Sequence, residues 1–238
     1  MTADRLYFRQ LLAGRDLARD DRLARRMVNF VYLIGDVETG EAVAVDPAYA
    51  PGDVIAILGE DGMRLSGVLA THYHADHVGG DLFGREVAGI AALLEQIQVP
   101  IHVHQDEAAW VERSTGVGRA ELVAHVSDDI VRVGEIEIRI IHTPGHTPGS
   151  QCFLVDGHLV AGDTLFLQGC GRTDLPGSDP SAMYDSLVNR LSKLPDDTLV
   201  YPGHLYSAKE CASLGETKRR NPVLSPRSPE AWLGLFGG

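Results

Sequence analysis

The sequence predicts one compact α/β domain, and three observations carry that reading. Apolar residues recur with a period of two in some stretches and of three to four in others, in both halves of the chain. No linker-like proline, glycine or serine tract separates the halves. With 238 residues and 44% hydrophobic composition, the chain can bury one substantial core, at the upper end of what a single core supports. The domain is expected to span residues 1–238, with roughly residues 1–28 and 205–238 packed on it as extensions.

The elements follow in order. Residues 7–12, 30–34 and 41–45 read as strands, the last two joined by a turn containing Thr39-Gly40. After Pro51-Gly52 a short helix over 53–58 ends near Gly62. Residues 65–70 form a buried strand that delivers the chain into Thr71-His72-Tyr73-His74-Ala75-Asp76-His77. Val87, Ile90, Ala91, Leu94 and Ile97 recur at three- and four-residue steps, which predicts an amphipathic helix ended by Pro100. A strand over 101–104 and a short helix over 106–113 follow. In the second half, Ile136, Ile138 and Ile140 alternate with Glu135, Glu137 and Arg139, the mark of a half-buried strand. Strands 151–155 and 158–161 flank Asp156-Gly157, a strong hairpin signal, and the second stops at Asp163. Asp179 before Pro180 is an N-cap with proline at the first helical position, and Met183, Leu187, Leu191 and Leu194 mark one helix face. Residues 198–201 are a strand leading into Pro202-Gly203-His204, and Ser213 with Glu216 predicts a capped final helix.

Composition narrows the partners. A net charge of −12 disfavours nucleic acid, which needs a clustered positive surface. No apolar run approaches the roughly 18 residues of a membrane span. Cys152, Cys170 and Cys211 are too few and too scattered for a disulfide framework, so a reducing, cytoplasmic setting is expected. The start is rich in arginine (Arg5, Arg9, Arg15, Arg19, Arg22, Arg25 and Arg26), yet Asp4, Asp16, Asp20 and Asp21 interrupt it. It reads as a solvated surface rather than a transit peptide, and on composition alone it offers a face for a homo-oligomer.

The chemistry concentrates in loops. His72, His74, Asp76 and His77 place four potential ligands within six positions at the end of a strand. In a loop, His72 and His74 can converge on one ion while Asp76 and His77 face a second. Imidazole and carboxylate at this density suit zinc, manganese or iron rather than calcium. His146 lies in a turn of two prolines and two glycines, Asp163 lies in Gly162-Asp163-Thr164, and His204 follows Pro202-Gly203. Each of the three stands just after a predicted strand, where active-site loops gather on one rim of a sheet. The other histidines receive plainer readings: His142 as a strand-end residue behind the site, His102 and His104 as packing or surface residues sharing one face, His125 and His158 as surface residues.

His-x-His-x-Asp-His followed by spaced His, Asp and His resembles the metallo-β-lactamase superfamily, over about residues 7–222. The resemblance implies an αββα four-layer sandwich: two mixed β-sheets face to face, helices on the outer faces, metals at one edge. It implies that His72, His74 and His146 hold a first metal, that Asp76, His77 and His204 hold a second, and that Asp163 bridges them. Asp76 is expected to serve in catalysis as well. Two divalent ions are implied, zinc first, with iron or manganese as alternatives.

The loop Gly169-Cys170-Gly171-Arg172-Thr173-Asp174 is similar to that of two families acting on thiol conjugates, glyoxalase II and the persulfide dioxygenases. By that resemblance Arg172 and Tyr206 would contact a small-molecule thiol conjugate, and a guanidinium suits its carboxylate. Cys170 reads as structural, since the metals already provide a nucleophile. The first expectation is a metal-dependent thioester hydrolase, hydroxyacylglutathione hydrolase-like, using a metal-bound hydroxide. The alternative is a persulfide dioxygenase oxidising a thiol persulfide to sulfite, with His72, His146 and Asp163 on a single Fe(II). Asp174, where glyoxalase II usually has an aromatic residue, and the 34 residues after His204 fit the alternative; Leu205, where the dioxygenases usually have aspartate, fits the first. Lys218, Arg219 and Arg220 read as a solvated helix face. A β-lactamase is disfavoured, because those enzymes lack the bridging aspartate.

Overall fold

A computed structural model describes residues 5–226 and 228–234, so the rest of the expected 1–238 span lies outside the described residues. The chain opens with β1 (Leu6–Leu12), α1 (Arg22–Met27), β2 (Phe30–Asp36) and β3 (Glu41–Val45), the three strands pairing antiparallel. After α2 (Pro51–Glu60), β4 (Arg64–Leu69) joins β3 in parallel. Then come α3 (Ala75–Val78), a small hairpin of β5 (Gly80–Leu82) and β6 (Arg85–Val87), α4 (Ile90–Leu94), β7 (Ile101–His104), α5 (Ala108–Thr115) and β8 (Leu122–His125). The first sheet runs β1-β2-β3-β4-β7-β8.

The second half builds β9 (Ile130–Val133), β10 (Ile136–His142), β11 (Gln151–Val155), β12 (His158–Gly162), α6 (Pro180–Tyr184), β13 (Leu199–Pro202), β14 (Ala212–Ser213), α7 (Leu214–Arg220) and α8 (Pro229–Leu233). Its sheet runs β14-β13-β12-β11-β10-β9, antiparallel except for the β12–β13 pair.

The alternation of side chains along each strand dictates the layering. In β2, Phe30, Tyr32 and Ile34 enter a core shared with Ile138, Ile140, Phe153 and Val160 of the opposite sheet. Val31 and Leu33 turn the other way, into a core with Val54 and Leu58 of α2, Ile90 and Leu93 of α4 and Val111 of α5. On the far side, Cys152, Leu159, Ala161 and Val200 pack against Met183, Leu187, Leu214 and Trp232. Three apolar seams between four layers make the αββα sandwich. Each buried Leu, Ile or Phe contributes about 1.5–3 kcal/mol.

Several elements differ from expectation. The helix expected around residues 87–97 is confined to α4, because Val87 belongs to β6. Gly89 is the N-cap of α4, and it packs so closely on the preceding loop that a Cβ there would strike the Val78 carbonyl oxygen. The β5–β6 hairpin turns at Phe83-Gly84, both at positive φ (56° and 81°). β8 and β9 form where the sequence predicts no strand. The helix marked by Asp179-Pro180 widens into a π turn over Asp185–Arg190 and closes as a 3-10 turn at Leu191–Lys193. The capped helix at Ser213 is not the final one, since α8 follows. His125 is no free surface residue: its ring lies 2.8 Å from His102 and 3.3 Å from Asp129. His104, by contrast, packs as one of its two expected roles allows: it is buried, and its ring stacks on His142 at 3.6 Å. His158 stacks on Tyr201 and contacts Phe8.

Candidate metal centre

Strand direction gathers the predicted residues on one rim. β10 and β12 are both antiparallel to β11, and β13 is parallel to β12. All three therefore exit at the same edge, delivering His146, Asp163 and His204. From the facing sheet, β4 exits into Thr71–His77, where the single turn of α3 carries Asp76 and His77. The two sheets are stitched at this edge by backbone bonds: Gln151 donates to the Thr71 carbonyl (3.0 Å) and Phe30 to the Gly203 carbonyl (2.8 Å). Close backbone approach explains two glycines. A Cβ on Gly171 would lie 2.9 Å from the His146 ring, and one on Gly203 would strike Asp163 Oδ1.

All seven expected residues come together. His72, His74 and His146 form one group able to hold an ion, and Asp76, His77 and His204 form another. His74 Nδ1 and His146 Nε2 are 3.0 Å apart, and the Nε2 atoms of His77 and His204 are 3.2 Å apart. Asp163 lies between the groups. Its Oδ1 is 3.4 Å from His77 Nε2, while its Oδ2 is 3.4 Å from His204 Nε2 and 3.8 Å from His146 Nε2. Asp76 Oδ2 is 3.4 Å from His204 Nε2. Two nitrogens about 2.0–2.1 Å from one tetrahedral ion stand roughly 3.3 Å apart, so these spacings fit a shared cation. Two buried atoms, His72 Nε2 and Asp163 Oδ1, find no hydrogen-bond partner among the described residues. Burial without a partner is costly, and an ion between the groups would satisfy both.

An outer set of partners aims the rings. His146 Nδ1 donates to the Arg172 carbonyl (2.8 Å) and His204 Nδ1 to the Met27 carbonyl (2.8 Å), leaving each Nε2 lone pair facing inward. His77 Nδ1 is held 2.9 Å from Asp46 Oδ2, which also accepts from the Thr71 hydroxyl at 2.6 Å. Thr71 Oγ1 in turn sits 2.9 Å from His72 Nδ1. Asn29 donates to Asp76 at 3.0 Å, and Glu107 accepts from the backbone N–H groups of Tyr73 (2.8 Å) and Gly149 (2.7 Å). Sequence reasoning missed Asp46, Asn29 and Glu107. Asp46 carried a usable signal, an aspartate directly after a predicted strand, like Asp163.

Electrostatics separates the two groups. Burial, reinforced by neighbouring imidazoles, pushes His72 well below the usual histidine range and His74 to about 4. Both are neutral near pH 7, the form that ligates. Burial also acts on His77 and His204, but Asp76 and Asp163 overcome it at His77, and Asp163 does so at His204; both are raised. Asp163 resists its own burial because His204 and His77 hold it as a carboxylate.

A cavity of about 630 Å³ opens over this edge, lined by Tyr73, Phe83, Phe166, Arg172, Leu175 and Tyr206 among others. Tyr206 stacks on His204 (4.6 Å, 6° between planes). Arg172 reaches the cavity, and its guanidinium donates to both oxygens of Asp174, at 2.9 and 2.8 Å. Burial pushes the Cys170 thiol up to about 12, in line with a structural role. Lys218 pairs with Asp196 and Arg220 with Glu216, away from the cavity. Among the described residues no helix is long and apolar enough to cross a membrane.

Comparison with known proteins agrees with the geometry. The family model described as the metallo-beta-lactamase superfamily matches residues 24–204. The chain is 34% identical over 213 residues to the human protein named persulfide dioxygenase ETHE1, mitochondrial, covering 87% of this chain and 76% of that one. It is 38% identical over 205 residues to a hydroxyacylglutathione hydrolase of Rhodopseudomonas palustris, covering 85% of this chain and 72% of that one. The crystal structure of ETHE1 from Myxococcus xanthus superposes with a TM-score of 0.78 at 32% identity, covering 98% of this chain and 90% of that one. The chain belongs to the metallo-beta-lactamase superfamily of metal-binding enzymes.

Proposed function

We propose that the protein is a two-metal hydrolase that cleaves a thioester of glutathione or a related thiol. The observation that carries this reading is Asp163, a buried carboxylate that reaches both complete ligand groups, its Oδ2 lying 3.8 Å from His146 of the first and 3.4 Å from His204 of the second. His72, His74 and His146 would hold the first ion, Asp76, His77 and His204 the second, and Asp163 both. Zinc suits this donor set best, with iron or manganese accepted by the same nitrogen and oxygen shell. Bound there, two such ions would supply an activated water and a Lewis acid for the thioester carbonyl.

The chain's own residues do the rest. Asp76, whose carboxylate accepts a hydrogen bond from Asn29, would hold and orient the attacking water. Tyr206 and Phe166 form an aromatic wall against which the carrier packs. Arg172 offers its guanidinium at the rim to a carboxylate of the carrier. Its pairing with Asp174 is exposed to solvent and is readily exchanged. The leaving thiolate, with a pKa near roughly 8.5, departs without a strong proton donor. Similarity to the hydroxyacylglutathione hydrolase supports this reading.

A second reading is an Fe(II)-dependent persulfide dioxygenase. Similarity to ETHE1 over nearly the whole chain favours it, and so does Asp174 following Arg172-Thr173. One preparation separates the two. Metal identity and stoichiometry are determined, then hydrolysis of a glutathione thioester is assayed beside oxygen uptake with glutathione persulfide. Two ions with hydrolysis are expected; one iron with oxygen consumption would replace the first reading with the second. Asp163→Ala should release metal and abolish turnover under either, and retention of both would remove Asp163 from the site.

A further inference from the structure

Glu107 lies in none of the seven-residue set, yet it is only 1% exposed and stands directly behind it. One carboxylate oxygen accepts from the N–H of Tyr73, the residue between His72 and His74. The other accepts from the N–H of Gly149, three residues after His146. Its partners among the described residues are backbone N–H groups rather than cations, so a charge here is held by dipoles alone. Burial raises this carboxyl to about 7, against the pull of those donors. Leaving such a group unneutralised is unfavourable for folding and calls for a return elsewhere in the molecule.

The packing shows what the return is. Gly149 approaches so closely that a Cβ would lie 2.6 Å from the Glu107 Cβ. Trp110, one turn further along, stacks on the Tyr73 ring (4.9 Å, 23° between planes). The start of α5 therefore grips Tyr73 through both backbone and ring while holding the His146 loop through Gly149. Two loops from different sheets meet on one side chain.

We propose that Glu107 is a positioning residue for the first metal site, a hydrogen-bonded clip that sets the spacing of His72 and His74 against His146. The inference rests on the metal reading of these groups and not on which reaction they perform. Its reach is selective. Asp76, His77 and His204 are aimed by Asn29, Asp46 and the Met27 carbonyl, none of which touches Glu107.

That selectivity gives the test. In Glu107→Gln one oxygen becomes an NH2 that must face an N–H. Zinc affinity is measured by competition with a chromogenic chelator in two backgrounds: His204→Ala, which isolates the first site, and His74→Ala, which isolates the second. Glu107→Gln is expected to weaken zinc binding about 10–100-fold in the first background, the usual effect of losing an outer partner of a ligand. Affinity in the second background should not change. Equal losses in both, or no loss in the first, overturn the proposal. Should Glu107→Gln fail to fold, Glu107→Asp, which draws the carboxyl back by one methylene from the Tyr73 and Gly149 N–H groups, should lower first-site affinity alone, and an unchanged affinity overturns the proposal equally. A wild-type protein that binds no zinc, iron or manganese is a separate result: it removes the metal reading and this inference with it.

Discussion

At the scale of single residues, the fold uses buried charge in two ways. Asp36 shows the simpler one. Arg5 donates to both of its oxygens, at 2.6 and 3.2 Å, and the Glu135 and Glu38 N–H groups add two more bonds. The Arg5 hydrogen bonds, against the opposing effect of burial, bring its pKa to about 2. An unfolded aspartate titrates near roughly 3.9. The stabilisation is therefore present above about pH 4 and is lost as pH falls toward 2. Urea midpoints of metal-free wild type and Asp36→Asn, measured from pH 2 to 6, should differ above pH 4 and converge below it; a constant gap would remove the pair from the pH dependence. At the metal centre the same device acts on histidines, and here legibility divides. His72, His74, Asp76 and His77 were readable because their density has no structural explanation, and His146, Asp163 and His204 because each follows a strand. Glu107 and Asn29 were not. A glutamate before a short helix and an asparagine before a strand have ordinary surface roles, and only the folded backbone reveals which N–H or side chain each one meets.

At the scale of elements, local chemistry was the better guide. Asp156 and Gly157 both take positive φ, as a two-residue hairpin turn requires. Asp179 caps its helix as expected, accepting from Ser181 (2.8 Å) and Ala182 (3.1 Å). Asp179→Ala should lower stability by about 1 kcal/mol, read as a shift in urea midpoint with unchanged slope. No shift would mean that the proline at the first helical position suffices. Periodicity served less well between residues 87 and 97. Val87 and Ile90 both face the same core, one from a strand and one from a helix, so their spacing mimics a single helical stripe. β8 leaves no periodic signal for a related reason: Val123 is exposed on an edge strand, which erases the alternation.

At the scale of the whole molecule, the mixture of strands and helices was legible, but the division into two sheets came only through the family resemblance. Pairing between distant strands, such as β4 with β7, leaves no mark in local sequence. The division matters for stability, because the candidate ligands come from both sheets. Ions bound there favour the native state by mass action, about 2.7 kcal/mol at a hundredfold excess over the dissociation constant. Removing metal with a chelator should lower the thermal midpoint, and adding zinc back should restore it; an unchanged midpoint would mean that the native chain holds no ion. The passage between sheets, from β8 to β9, crosses only residues 126–129 and lies away from the cavity. A cut there would leave His72, His74, Asp76 and His77 on one piece and His146, Asp163 and His204 on the other. Neither fragment could assemble either ion site alone, so recombination of the severed pieces would become something that a transition metal, and not merely apolar adhesion, commands.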